Sequence, residues 1–327
     1  MASKPPFTNL QLVERVDSWP YFAKDRDAYR RHMQNYHYLL IEGYDKPLGY
    51  VHNQFVEEID WPDYWNIDSE KRLLTLVSAT GFETRSRLMN ETLRKNHDSQ
   101  KVPELARWSA EDFPIYSATG EHVLTMNGCG VDMFGIVNFS VHMIGWVMTA
   151  EGVKIWVSRR AMTRMSYPGM LDNTVGGSLL VGEKPIDGIV RECEEEICLD
   201  PTYTRANIKP CGTNSFQLTL TDSPLTACQH QVQYLYEIEL RQEIVPKIGD
   251  GEVSELHLKT IDEVREAMKN GEFKLSYNMT YLAFLIRHGY INAENEPDLP
   301  EIALGFIEST SFLSPRCRDL SHGGGRF

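Results

Sequence analysis

Residues 177–199 constrain the fold of this chain more than any other stretch: Gly-Ser-Leu-Leu-Val-Gly-Glu-Lys-Pro-Ile-Asp-Gly-Ile-Val-Arg-Glu-Cys-Glu-Glu-Glu-Ile-Cys-Leu. The second half is predicted to be a helix. Pro185 suits the first helical position, where its missing N–H would be unpaired in any case. Ile186, Ile189, Val190, Cys193 and Ile197 recur at helical spacing and form one apolar stripe. Glu192, Glu195 and Glu196 fall together on a separate face, because positions i, i+3 and i+4 are neighbours. Like charges so placed cost about 0.2–0.5 kcal/mol per pair. A divalent cation removes that repulsion, and Mg²⁺ or Mn²⁺ favours carboxylate oxygens while keeping positions for water and phosphate. Three glutamates alone would read first as a solvated acidic face.

The upstream residues change that balance. A Gly176-Gly177 pair ends a β-like run, Glu183 follows after five residues, and Arg191-Glu192 follows after seven more. This spacing resembles the Nudix box: Gly, five residues, Glu, seven residues, then Arg-Glu-apolar-any-Glu-Glu-any-Gly-apolar. Gly177, Glu183, Arg191, Glu192, Cys193 at the apolar position, Glu195, Glu196 and Leu199 all fit. Cys198 departs, standing where the pattern has Gly. If that position needs positive φ, a cysteine there costs about 1 kcal/mol.

The 327 residues suit one large domain or two moderate ones, and the 42% hydrophobic and 24% charged content is ordinary for globular chains. A net charge of −13 argues against a nucleic-acid footprint and leaves a phosphorylated substrate to be held by local cations. Six cysteines (129, 193, 198, 211, 228 and 317) show no regular spacing and read as reduced thiols. No apolar run reaches the length of a membrane span, and the start lacks a secretory layout, so the cytoplasm is the expected compartment, with an organelle or nucleus left open.

Residues 1–8 read as a flexible lead-in, and 9–31 as mostly helical with a break at Pro20 and Asn9 as a cap. Strands are expected at 37–42, 47–51 and 71–77, and a helix at 83–95. The tryptophans Trp19, Trp61, Trp65 and Trp108 read as core or interface. From about Asp132 the pattern turns to β: Phe134–Val147 and Val153–Arg160 are joined by a turn at Gly152, and Val232–Leu240 alternates as a further strand. Gly249-Asp-Gly-Glu makes a sharp turn before a strand at 253–258, and helices follow at 261–269 and 277–288. The stretch from 292 is less patterned, and Gly323-Gly-Gly is expected to fray. The expected class is α/β (α+β): a mixed sheet sandwiched between helices over 131–295, a smaller α+β domain over 1–130, and a tail over 296–327.

Segments outside the box resemble one Nudix branch, fungal and plant proteins with an uncharacterised N-terminal domain, related to the Nudix half of fungal thiamin pyrophosphokinases. They are Phe134-Gly-Ile with His142 and Gly145, Ile155-Trp-Val-Ser-Arg-Arg, Tyr167-Pro-Gly-Met-Leu-Asp-Asn, Asp250-Gly-Glu-Val, Gly271-Glu-Phe-Lys and Phe284-Leu-Ile-Arg-His-Gly. Ser254 and Leu275-Ser-Tyr-Asn depart from it. The resemblance implies a Nudix fold and metal-dependent hydrolysis of a small organic diphosphate, with thiamin diphosphate or its oxidised analogues first among substrates. ADP-ribose, nucleoside and prenyl diphosphates, or a non-catalytic binding role, are the rivals. It implies Mg²⁺ or Mn²⁺ on Glu192 and Glu196, with Glu195 ligating or acting on water, and Glu183 orienting the helix through Arg191. Glu252 is the candidate fourth acid, with Asp250 behind it, and Arg159 and Arg160 are candidates for gripping phosphate, although adjacent strand residues face opposite ways. Gly188 leaves room either for metal and phosphate or for close packing. His142 reads as a core histidine before a catalyst. Trp146, Trp156, Tyr167 and Phe216 are guesses for stacking on a substrate ring, each read first as core. Oligomeric state is not legible, and no nucleic-acid or membrane partner is expected.

Overall fold

The computed structural model describes residues 5–164, 166–221 and 224–306. Among these the chain runs α1 (Asn9–Val16), α2 (Arg26–Met33), β1 (Tyr36–Ile41), β2 (Gly49–His52), α3 (Asn53–Glu58), β3 (Trp65–Asp68), β4 (Leu73–Leu76), α4 (Phe82–Ser99), β5 (Asp112–Tyr116) and β6 (His122–Asn127). It continues through β7 (Val137–Thr149), β8 (Gly152–Arg160), β9 (Val175–Ser178), α5 (Pro185–Ile197), α6 (Pro201–Asn207), β10 (Lys209–Leu220), β11 (Ala227–Glu239), β12 (Val253–Thr260), α7 (Ile261–Lys269), α8 (Tyr277–Arg287) and α9 (Leu299–Gly305). The contacts divide the described residues into two compact units. One takes Ser18–Asn138 with Gln217–Gln231; the other takes the residues up to Asp17, Phe139–Phe216 and those from Val232 onward.

In the unit built on Ser18–Asn138, the sheet order is β2-β1-β4-β3, with β1 antiparallel to β2 and parallel to β4. Alternation turns Leu39 and Ile41 of β1 inward, and α4 buries Leu88, Met89, Thr92, Leu93 and Asn96 at helical spacing. The apolar ones among them share a core with Phe55, Leu74, Leu76 and Phe134. Trp19 and Trp65 are buried, and Trp61 and Trp108 pack on the core, the role expected of them.

The other unit contains a sheet in the order β10-β11-β7-β8-β12, with β9 pairing on β7. β7 and β8 form the expected hairpin, closed at Thr149↔Gly152, where Gly152 takes φ +107°. Alternation along β7 separates two layers. Val141 and Met143 pack with Ile189, Cys193 and Ile197 of α5, while His142 lies against Tyr277 of α8 at 5.1 Å between ring centroids. On β11, Tyr236 and Ile238 join the α5 side, and Glu237 turns to Arg287 and His288 at the end of α8. The sheet is thus covered on both faces, as the pattern of strands and helices implied.

Three expectations about the ends need revision. Thr8, not Asn9, caps α1: its hydroxyl accepts the Gln11 N–H at 3.2 Å, and Gln11 Oε1 accepts the Thr8 N–H at 3.0 Å. Within the stretch read as a flexible lead-in, Phe7 is buried and its N–H donates to Lys269 O at 2.8 Å. The stretch read as a tail opens with α9, where Gly305 leaves no room for a Cβ beside Val13 of α1. Gly323–Gly325 and Cys317 lie outside the described residues, and the other five cysteines are free thiols.

Candidate active site

Helix α5 begins at Pro185 and buries Ile189, Val190, Cys193 and Ile197 along the predicted stripe, with Ile186 partly buried. On β9, Gly177 faces the helix while Gly176 faces the opposite layer. A Cβ at Gly177 would overlap the carboxylate of Glu192, and one at Gly176 would lie 2.5 Å from His142 Nδ1. Gly177 is therefore glycine because the Glu192 carboxylate occupies the space of a side chain. The helix ends with Cys198 at φ +53°, the left-handed conformation that favours glycine. Beyond it, Gly249 N–H donates to Glu196 O at 3.0 Å and Asp250 N–H to Glu195 O at 2.9 Å. These bonds satisfy carbonyls that the last helical turn leaves unpaired. A Cβ at Gly249 would overlap the Glu195 carbonyl, a packing role that the sequence reading missed, having seen only a turn there.

Arg191 organises the acidic side. Its Nε and Nη2 donate to the two oxygens of Glu183 at 2.9 and 3.1 Å, and its Nη1 to Glu192 Oε1 at 2.8 Å and Glu195 Oε2 at 2.9 Å. Glu183 also accepts the Leu180 N–H at 3.1 Å, so the expected Glu183–Arg191 ion pair ties the helix to the loop before it. Gly188 resolves toward close packing: an added Cβ would meet Leu179 Cδ2 at 2.8 Å and Glu183 Oε2 at 3.0 Å. Glu192 and Glu196 are buried, whereas the Glu195 side chain is 47% exposed. Burial, then the charges of Asp172 and Glu192, push the Glu196 carboxyl well above its usual range against the pull of the Gly176 N–H, 3.1 Å away.

Asp172 was not singled out from the sequence, although it stands in the quoted Pro-Gly-Met-Leu-Asp-Asn run. It is buried, accepts Arg160 Nη1 at 2.6 Å, and lies close enough to Glu196 to act on its proton affinity. Arg160 is thereby committed, with further bonds to Ser166 O at 3.0 and 2.9 Å. Arg159 faces the other way, to Glu255 Oε2 at 2.9 Å and Gly169 O at 2.8 Å. Glu252 is ion-paired with Arg164, and its charge reaches Glu196. Asp250 accepts the Glu252 N–H at 2.9 Å. His142 is fully enclosed, bonded to Ser140 Oγ at 2.9 Å and Asn173 Nδ2 at 3.0 Å, with burial pushing its pKa down to about 3. It is a satisfied core histidine. Phe216 is fully buried, Trp156 packs on the α5-side core, and Trp146 rests on His288 at 5.6 Å. Tyr167 sits in a turn at φ +52°.

The donor set suits a hard divalent cation by its chemistry. Glu192 and Glu196 offer carboxylate oxygens side by side, and Glu196 is buried among like charges that a cation would relieve. Among the described residues no three His, Cys, Asp or Glu side chains are already arranged as a cation cage. Arg191 instead holds Glu192 and Glu195. No helix of the described residues is long and apolar enough to cross a membrane.

Residues 141–279 match the NUDIX domain model, and residues 22–138 match a domain of unknown function, DUF4743. The chain is 27% identical over 311 residues to an uncharacterised protein of Saccharomyces cerevisiae, covering 90% of this chain and 89% of that one. It is 26% identical over 261 residues to Nudix hydrolase 20, chloroplastic, of Arabidopsis thaliana, covering 76% of this chain and 67% of the relative. A crystal structure of a Deinococcus radiodurans protein aligns at 20% identity with a TM-score of 0.40, over 55% of this chain and all of that one. Residues 141–279 thus form a NUDIX domain that follows a DUF4743 domain at 22–138, and this match together with the Nudix hydrolase relatives supports a Nudix-type hydrolase.

Proposed function

We propose that this chain hydrolyses the diphosphate bond of a small organic diphosphate in a reaction dependent on Mg²⁺ or Mn²⁺. The observation that carries the reading is the pair of buried carboxylates, Glu192 and Glu196, set beside Gly177 and Gly176 and braced by Arg191. Burying two like charges side by side is costly, and a bound cation offsets that cost. Glu192 and Glu196 would hold the metal, with Glu195 and Glu252 at its margin. When bound, the cation neutralises non-bridging phosphate oxygens and lowers the pKa of a bound water. Arg191 orients Glu192 and Glu195, and Asp172 holds Arg160 beside Glu196.

Thiamin diphosphate and its oxidised analogues are the substrates we place first, supported by the branch resemblance of the segments around Arg160, Asp172 and Lys274. The test is a phosphate-release panel with Mg²⁺ or Mn²⁺ containing those compounds, ADP-ribose, prenyl diphosphates and nucleoside diphosphates, with Glu196→Gln as the control. Metal-dependent release that prefers thiamin-type diphosphates and vanishes in Glu196→Gln is expected. A clean preference for ADP-ribose or a prenyl diphosphate overturns the substrate and leaves the chemistry. Turnover indifferent to chelator or to Glu196→Gln overturns the site.

A further inference from the structure

We infer that Arg191 is the protein's own counter-cation for the glutamate helix: it competes with the divalent cation for Glu192 and Glu195, and so sets how tightly that cation binds. This rests on the metal-dependent hydrolase reading and adds to it the residue that governs cation affinity.

Every N–H of the Arg191 guanidinium is engaged. Nε donates to Glu183 Oε1 at 2.9 Å, and Nη2 donates to Glu183 Oε2 at 3.1 Å and to Ser178 O at 3.3 Å. Nη1 directs its two N–H groups to Glu192 Oε1 at 2.8 Å and Glu195 Oε2 at 2.9 Å. The two ends of the guanidinium are anchored differently. At the Nε–Nη2 edge, Glu183 is itself held by the Leu180 N–H at 3.1 Å and packs on Gly188. At the Nη1 end, the buried Glu192 is joined to Glu195, whose side chain is half-exposed.

The oxygens that Nη1 holds are of the kind a hard divalent cation takes. Glu192 and Glu195 lie one turn apart and repel each other unless positive charge stands between them, and Nη1 supplies that charge. A divalent cation drawn to the same oxygens meets the guanidinium across a few ångströms, where burial strengthens the repulsion. Releasing Nη1 does not strand the arginine, because the other three donors keep the forked pairing to Glu183 and the bond to Ser178 O. Arg191 therefore holds the acidic face together and lowers its affinity for the cation. A brace that only oriented the glutamates would do the reverse: its loss would loosen Glu192 and weaken cation binding.

The test is a Mn²⁺ titration of the full chain, read from the paramagnetic resonance signal of free Mn²⁺, beside urea unfolding in chelator and in saturating Mn²⁺. Arg191→Gln is expected to bind Mn²⁺ at least about tenfold more tightly than the wild type, the scale of one removed charge contact. It is expected to be less stable than the wild type in chelator, and that deficit should shrink in saturating Mn²⁺, because the coupling between arginine and cation is reciprocal. If Arg191→Gln does not fold, Arg191→Lys decides. Its compact ammonium can serve Glu183 but cannot span that residue and both helix glutamates, so Mn²⁺ binding at least about threefold tighter is expected. Mn²⁺ binding by the deciding variant that equals the wild type or is weaker overturns the inference, as does a stability deficit that fails to shrink. A wild type that binds no Mn²⁺ and whose turnover ignores chelator removes the metal-dependent reading and this inference with it. Mn²⁺-dependent turnover with looser binding in the variant removes the inference alone.

Discussion

Gly177 and Cys198 show how differently single positions of one motif constrain the structure. A Cβ at Gly177 overlaps the Glu192 carboxylate, so Gly177→Ala must displace that acid. Initial rates should fall roughly 100-fold, the scale expected when a catalytic group shifts by about an ångström. Its melting temperature should fall as well, since the displaced carboxylate loses its place beside Arg191; a fully active Gly177→Ala would show that Glu192 is placed by something else. Cys198 adopts φ +53° with a β-carbon, so Cys198→Gly should raise unfolding stability by about 1 kcal/mol, read as a higher urea midpoint at unchanged slope. The sequence made both positions legible, one as a match and one as a departure from a spaced pattern. It did not show Gly249 as a packing glycine or Asp172 as a buried neighbour of Glu196, because each acts on a residue distant in the chain.

At the scale of elements, α5 is held by its stripe, by Arg191 and by the turn at 249–250. Burial pushes the Glu183 carboxyl up, but the Arg191 hydrogen bond and the Leu180 N–H outweigh it, and its pKa lies below the ordinary value. A depressed carboxyl pKa stabilises the fold above the unfolded-state pKa and ceases to do so as pH falls through the folded-state value. Glu183→Gln should therefore cost about 1–3 kcal/mol at pH 7, the usual penalty for unpairing a charged hydrogen bond. The deficit should shrink on acidification below the ordinary glutamate range. Urea midpoints at neutral and acid pH check this, and a deficit that is the same at both would exclude the ion pair as its cause. The elements predicted between 134 and 288 follow their periodicities closely because each has a buried face, whereas α6 and β10, over 201–220, were not anticipated. Prediction was weaker at ends: Thr8 displaced Asn9 as a cap, and α9 appeared where little pattern was visible. Caps are decided by one hydroxyl, and a short helix offers too few turns for a stripe.

For the whole molecule, the two units each enclose a neutral histidine: His142 in the NUDIX unit and His230 in the unit built on Ser18–Asn138. Burial pushes each pKa down to about 3. The unfolded chain takes up these protons near the ordinary histidine value while the folded chain refuses them. The contribution of these two histidines should thus be level above about pH 6.5 and fall as pH drops below it, by up to about 1.4 kcal/mol per pH unit for each histidine. Unfolding free energies measured from pH 7 to 4 should show this slope, reduced in His142→Gln; a flat profile would contradict the burial. By itself the sequence determined the class of fold, the helix that bears the glutamates, the chemistry those glutamates suit, and the Glu183–Arg191 tie, because all depend on spacing within a short span. Only the tertiary structure decided which charges are committed to one another. It turned Arg160 to Asp172, Arg159 to Glu255 and Glu252 to Arg164. Those pairings join residues many positions apart, and which cation meets which acid depends on how the strands and helices pack.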